Sequence, residues 1–444
     1  MISDLTTVHL FGGGGGDAVG MAAAGFDPAA VANHNSTCVA TLKANFPDAK
    51  ALCVDISAYD MRHLPPARVL VASPICTEIA PAGGRGRGKR PIGQAPLPHA
   101  GLTGVDAEDW ERTRATAWDV IRAAETWSYD AVVCENVVEF GTDWPLFEVW
   151  LAAFDKLGYH VQVASLNSAH LSGPGNPAAP QWRDRLYIVA TKKGMRRPDL
   201  TPRPAAWCDP CGSEVAAVQS WNGSARIGKY GPRRQYVYRC PGCKSTVEPY
   251  TRAAAEIIDW NDWGRRIGDR PVTEHKPDRF APATAARIRA GLQLCERAER
   301  QAVLADGVPE AMAEPFLVVL RRNGKARPID RPFPALNAGG NHVGVVIPYR
   351  RGNHPATTAE PLLTLGTRDS AGLLIPAGEP VAYEECHYRM LRWRELFAAQ
   401  RFPDDYIVCG PDRDVKVKEA IAMAGNAVSV NAAQWIGTRL ATVL

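Results

Sequence analysis

From Thr6 to about Lys193, short apolar runs alternate with segments of helical spacing. Strands buried on both faces read as continuous apolar runs, so this pattern predicts a doubly wound α/β sheet. Its expected strands are Val8–Leu10, Ala29–Asn33, Ala51–Val54, Val69–Ala72, Ala131–Cys134, His160–Leu166 and Leu186–Thr191. Between them, Glu111 to Trp127 has helical spacing that gathers Trp118, Ile121, Ala123 and Ala124 near one face.

The pattern breaks after Gly194. Pro202 and Pro204 open a linker, two cysteine pairs follow, and a helical, Arg-rich stretch runs from Arg252 to Glu299. Further on, Pro332–Pro348 resembles Pro361–Pro376 with one residue fewer, as two related strand-turn-strand units would. Helical spacing returns after Glu384, over Tyr388–Gln400 and again beyond Gly425. These breaks predict a main domain over 1–194, a second domain over 195–384, and a segment, 385–444, that completes the first.

The 444 residues suffice for two or three domains, and 46% hydrophobic with 22% charged residues is ordinary for a soluble globular protein. A net charge of only +4 makes local clusters, not the total, the argument for nucleic-acid binding. Met1–Leu10 lacks the pattern of a signal peptide, and no apolar run approaches the roughly 20 residues of a membrane span. A protein of the bacterial or host-cell cytoplasm, without a membrane partner, is expected. Eleven cysteines do not imply disulfides, because four form Cys208-x-x-Cys211 and Cys240-x-x-Cys243, a metal pattern of reducing compartments. Cys38, Cys53, Cys134, Cys295, Cys386 and Cys409 read as small buried hydrophobes.

Chemistry concentrates at the strand ends. Phe11 and the glycines 12–16 follow one strand and precede a helix, where glycine permits a tight turn and close approach of a ligand. That loop fits a nucleotide-type cofactor or a surface turn; it is no Walker loop, and a dinucleotide site would need an acid where Asn33 stands. Ser73-Pro74-Ile75-Cys76-Thr77 follows another strand and offers a thiol, whose activation needs nearby positive charge. Arg85, Arg87, Lys89 and Arg90 lie in the Gly- and Pro-rich segment Pro81–Asp109, which reads either as a solvated, mobile loop or as one that brings that charge by closing over a phosphate backbone. Glu135 ends the strand Ala131–Cys134, where burial would raise its pKa and fit it to share a proton; Asn136 would fix the loop. In Gln181-x-Arg183-x-Arg185 the two arginines lie on one face of a strand.

In this order, these motifs resemble the DNA cytosine-5 methyltransferase family, with Ser-Pro-x-Cys-Thr as in its phage-like and actinobacterial members. The resemblance spans about Thr6–Lys193 and again Pro328 to the end. It implies a Rossmann-like, S-adenosylmethionine-dependent methyltransferase sheet with a smaller target-recognition domain inserted. Phe11, Gly13, Gly15 and Gly16 match Phe-x-Gly-x-Gly-Gly and would hold the cofactor, with Phe11 against the adenine. Asn33, followed by His34, stands where the family carries a Glu for the ribose. Asp55-Ile56 matches the adenine-amino position, and Gly425-Asn426-Ala427-Val428 matches the motif that closes the pocket. Cys76 would be the nucleophile, Glu135 the proton donor, Arg185 the group on the cytosine oxygen, and Arg183 a contact to the site and a neighbouring phosphate.

Between the matching segments, the four cysteines predict one structural zinc in a ribbon over 205–250. Arg226, Lys229, Arg233, Arg234 and Arg239 alternate there with Trp221, Tyr230, Tyr236 and Tyr238, a mixture suited to nucleic acid. The reading is a monomeric enzyme that methylates carbon 5 of a flipped cytosine in double-stranded DNA. A tRNA cytosine-5 methyltransferase and a non-catalytic DNA-binding protein on the same fold are the competing readings, with a transcription-factor-like zinc module behind them.

Overall fold

The computed structural model describes residues 4–75, 106–259, 261–262, 264–282, 284–286, 288–289, 383–409 and 415–444, with strands at 316–319, 326–328, 343–346, 362–363 and 372–375. Cys76, the basic segment 85–90 and Cys295 lie outside the described residues.

The first strands, β1 (Thr6–Leu10), β2 (Asp27–Asn33), β3 (Lys50–Cys53), β4 (Val69–Ala72), β5 (Ala131–Asn136), β6 (Tyr159–Asn167), β7 (Gln181–Trp182) and β8 (Asp184–Lys192), include every strand that the apolar runs predict. All but β7 form one seven-stranded sheet in the order β3-β2-β1-β4-β5-β8-β6. The pairs β3–β2, β2–β1, β1–β4 and β4–β5 are parallel, and β8 runs antiparallel to both neighbours. Helices α1 (Gly16–Ala23), α2 (Ser36–Asn45), α3 (Asp106–Trp127), α4 (Val138–Thr142) and α5 (Phe147–Lys156) serve the connections. The strand order reverses between β1 and β4, so the loops after these two strands meet in the crevice where such sheets bind ligands.

The core explains the helical faces. Val8, Leu10, Leu70, Ala72, Val132 and Cys134 are buried from the sheet, against Ala117, Val120, Ala123 and Ala124 of α3 and Trp150 and Phe154 of α5. The buried face of α3 is thus Ala117, Val120, Ala123 and Ala124, while Trp118 and Ile121 flank it half-buried.

Beyond β8 lie β9 (Ala205–Cys208), β10 (Ser213–Ala216), β11 (Val218–Trp221), β12 (Tyr236–Arg239) and β13 (Thr246–Val247), a two-stranded and a three-stranded sheet. A six-stranded sheet follows, from β14 (Arg265–Arg266), β15 (Phe316–Val319), β16 (Ala326–Pro328), β17 (Val343–Val346), β19 (Gly372–Ile375) and β20 (His387–Met390). The equivalent ends of the two repeat-like segments, β17 and β19, pair in parallel. β18 (Leu362–Leu363), in the first half of the second segment, pairs instead with β7.

The chain then returns to the main sheet through α6 (Trp393–Ala398), α7 (Val417–Asn426) and α8 (Val430–Ala441). Two sequence expectations change: Arg252–Glu299, read as helical, includes strand β14 at Arg265–Arg266. Tyr388–Met390, expected in a helix, is strand: β20 pairs with β14 and β19, and buried Arg389 is ion-paired to Glu395 at 2.7 Å. The helical pattern beyond Gly425 proves to be α8, with α7 ending at Asn426 just before it. α8 lies close on α1: a Cβ on Gly20 would meet Ala433, and one on Gly437 would meet Ala24 and Met21.

Candidate active site

Three strand ends form the site. Leu10 of β1 pairs with Ala72 of β4, which pairs with Cys134 of β5. The glycine loop, the Ser73–Ile75 turn and Glu135 therefore sit side by side.

The glycine loop is tightly enclosed. Phe11, Gly13 and Gly15 all have positive φ, at 61°, 49° and 83°, and Gly15 N donates to Gly12 O at 2.7 Å. A Cβ on Gly15 would lie 2.5 Å from the Tyr406 hydroxyl, and one on Gly16 would overlap the Val428 carbonyl. Tyr406 also donates to Gly14 O at 2.8 Å. Val428 thus closes on the loop from the C-terminal return, while Asn426 is exposed and approaches Gly13 through its backbone oxygen.

Asn33 ends β2 opposite Cys53, and its Oδ1 accepts from Asn35 N at 2.9 Å. Exposed Asp55 accepts from Ser57 N at 3.0 Å, with Ile56 buried beside it. His34 is exposed. Cys53, expected to be buried, is exposed and Cys38 half-buried, whereas Cys134, Cys386 and Cys409 are buried as expected.

Glu135 is the electrostatic centre. Its Oε1 lies 2.9 Å from Arg185 Nε, and both side chains are about nine-tenths buried, at 12% and 9% exposure. Burial pushes the carboxyl above its ordinary range; the Arg185 and Arg183 charges oppose this and the Asp17 charge reinforces it. Arg183, 2% exposed, donates to Ala427 O at 2.6 Å, tying the site to the C-terminal motif. Alternation along the strand sends Asp184 the other way, where it accepts from Asn167 Nδ2 at 2.9 Å and Tyr230 N at 3.1 Å. Asn136 accepts from Val137 N and donates to Pro74 O at 3.1 Å. That bond fixes the turn leading to Cys76, as does Ile75 N donating to Thr116 Oγ1 of α3 at 3.3 Å.

The sequence reading missed His9 and Asp17, both buried in the β1–α1 unit, with His9 Nδ1 2.8 Å from Asp17 Oδ2. The available signal was a histidine inside an apolar strand and an acid directly after the glycines. It also missed Tyr406, which lies in no motif.

Cys208, Cys211, Cys240 and Cys243 converge, with all four sulfurs within 4.8 Å of one another. Their closest pairs are 3.5 and 3.7 Å apart, near the edge of about 3.8 Å for a tetrahedron with bonds of about 2.3 Å. The donor set and spacing fit zinc. The ribbon docks on the catalytic sheet through Lys229–Glu139 at 2.6 Å, Gly228 N to Ser165 Oγ at 3.1 Å, and the bond to Asp184. Its tyrosines are committed to this packing: Tyr236 and Tyr238 are fully buried, and Tyr230 stacks on Trp182 at 5.5 Å. Tyr236 and Tyr238 are therefore closed to bases, contrary to the interleaved reading, while Tyr230 is half-buried and Arg226, Arg233 and Arg234 remain exposed.

Beyond the geometry, the C-5 cytosine-specific DNA methylase model matches residues 5–207 and 337–442. The chain belongs to this family. The unmatched interval between the two matched segments, 208–336, holds all four clustered cysteines and the ribbon's basic residues. No curated protein matches the chain. Among solved structures, it is similar to a Spodoptera frugiperda DNMT2 triple mutant, with TM-score 0.47, 13% identity, and 97% of this chain and 98% of that one covered. It is also similar to a DNA modification methyltransferase encoded within an Escherichia coli prophage, with TM-score 0.46, 13% identity and 99% of each chain covered. Schizosaccharomyces pombe Dnmt2 gives TM-score 0.48 at 11% identity, over 99% of this chain and 98% of that one. Among the described residues no helix is long and apolar enough to cross a membrane.

Proposed function

We propose that the chain methylates carbon 5 of a cytosine in double-stranded DNA, with residues 195–384 as its target-recognition domain. The observation that carries this reading is Glu135, buried, held by Arg185, and set beside the Asn136-fixed turn that leads to Cys76. Carbon 5 of an intact cytosine ring is a poor nucleophile, so the ring must first be opened to reaction. The Cys76 thiolate adds to carbon 6 of a flipped base as Glu135 gives its proton to ring nitrogen 3. The ring electrons then collect at carbon 5, and Arg185 steadies the exocyclic oxygen. Extrusion of the base costs about a few kcal/mol of stacking.

Phe11, Gly13, Gly15, Gly16, Asn33, Asp55, Ile56 and Val428 line the enclosed loop and strand ends suited to S-adenosylmethionine. When bound there, it would supply an electrophilic methyl group at carbon 5. Loss of the carbon 5 proton to solvent, return of the nitrogen 3 proton to Glu135 and departure of the thiolate restore the ring and the enzyme. The cysteine cluster, with four sulfur ligands and no place for water, suits a structural zinc that shapes the ribbon. The exposed arginines 226, 233 and 234 favour a polyanionic partner.

The test is incubation with labelled S-adenosylmethionine and mixed-sequence duplex DNA, then with tRNA. 5-Methylcytosine in duplex DNA by mass spectrometry is the expected product. Label confined to tRNA, or on the exocyclic amine, would overturn the reading.

A further inference from the structure

Behind Glu135 lies a small cavity, with room for about one water molecule, lined by Asp17, Ser73, Tyr187, Val71 and Val133 as well as Glu135. Asp17 reaches it from the first turn of α1. Its Oδ2 is taken by His9 Nδ1 at 2.8 Å. The other His9 nitrogen lies 2.9 Å from Thr7 Oγ1, which fixes the ring. Asp17 Oδ1, by contrast, is buried and receives no hydrogen bond among the described residues. An acid so placed cannot be an ordinary helix cap: no side-chain cap bond is made at this helix start, and the carboxylate turns inward.

We propose that Asp17, braced by His9, is a positioning residue for Glu135: a fixed negative charge across the cavity that favours the protonated, proton-donating form of the Glu135 carboxyl. The inference rests on the proposed methyl transfer only for its purpose; the electrostatic coupling stands on the cavity. Charged and titratable groups surround Glu135 from several elements: Arg183, Arg185 and Tyr187 from the β7–β8 segment, Cys134 from its own strand β5, and Asp17 from α1 with His9 of β1 bonded to it. The two arginines favour the ionised form. Burial and the Asp17 charge act in the opposite direction, and only the Asp17 contribution can be removed without opening the site. A carboxyl that must give its proton to the base at neutral pH gains from that second influence, because it adds to burial against the two guanidinium groups.

The test reads Glu135 directly. In protein carrying carbon-13-carboxyl glutamate, infrared titration gives the protonated-carboxyl band, assigned by its loss in Glu135→Gln. Asp17→Asn should move the Glu135 midpoint down by about 1–2 pH units, the span for a like charge roughly 6–12 Å away at an effective dielectric of about 20. The paired variant His9→Gln with Asp17→Asn, able to rejoin through a neutral amide bond, should give the same shift and serves if the single variant fails to fold. Tyr187→Phe, which removes a cavity hydroxyl but no charge, should leave the midpoint within about 0.3 units. An unmoved midpoint without Asp17, or an equal shift in Tyr187→Phe, overturns the proposal. In the methyl-transfer assay, the alkaline fall of kcat should move to lower pH with the same variants. A wild type that transfers no methyl group would sink the proposed activity, while the infrared shift would still decide the role of Asp17.

Discussion

Acid should loosen the junction between ribbon and catalytic sheet through His170. This ring is 3% exposed and meets Tyr230, Tyr238 and Trp182 edge-on at 4.4, 5.0 and 5.0 Å. Neither ring nitrogen has a hydrogen-bond partner among the described residues, and burial lowers its pKa to about 3. A depressed folded value means that the neutral ring stabilises the fold above the unfolded pKa of about 6.5, and that this contribution is lost as pH falls toward 3. Between pH 7.5 and pH 5, proton uptake by the unfolded chain alone removes about 2 kcal/mol, from 1.36 kcal/mol per unit over some 1.5 units. His170→Leu keeps the volume and drops the titration. It should match or exceed wild type at pH 7.5, because an unpaired polar group becomes apolar, and lead by about 2 kcal/mol more at pH 5. Urea unfolding of zinc-loaded protein, followed by tryptophan fluorescence at both pH values, measures this. Comparing variant with wild type cancels the acid sensitivity of the cysteine site. Stability curves that run parallel within about 0.5 kcal/mol would refute the reasoning.

Cys76→Ala should abolish turnover and covalent trapping on fluorocytosine DNA while S-adenosylmethionine still binds, since the glycine loop is built separately; trapping by the variant would move the nucleophile elsewhere. Glu135→Gln should slow methyl transfer by roughly 10²–10⁴, the usual loss for a general acid, and an unchanged single-turnover rate would remove it from the proton transfer. Cys240→Ser should cost the chain its stoichiometric zinc by metal analysis and weaken DNA binding while sparing cofactor affinity. Absence of zinc from wild type purified without chelator, or unchanged DNA affinity and sequence choice in the metal-free variant, would count against the ribbon's role.

The sequence determined the periodic parts. Apolar runs such as Val69–Ala72 and Ala131–Cys134 can be satisfied only inside a sheet covered on both faces, so their strands were legible. The cysteine spacing likewise announced a four-sulfur cluster, because two short turns can present four thiols to one point. What the sequence left open depended on partners distant along the chain. Tyr388–Met390 has helical neighbours but becomes strand because edges at 265–266 and 372–375 accept its backbone. The ribbon's tyrosines alternate with arginines as if for bases, yet burial takes Tyr236 and Tyr238 out of reach, and Tyr230 docks on Trp182. Asp17, directly after the glycines, carried no functional reading from the sequence. Only the packing of α8 on α1 and the meeting of β1, β4 and β5 turn it toward Glu135, because electrostatic coupling depends on distance through the folded interior and not on separation along the chain.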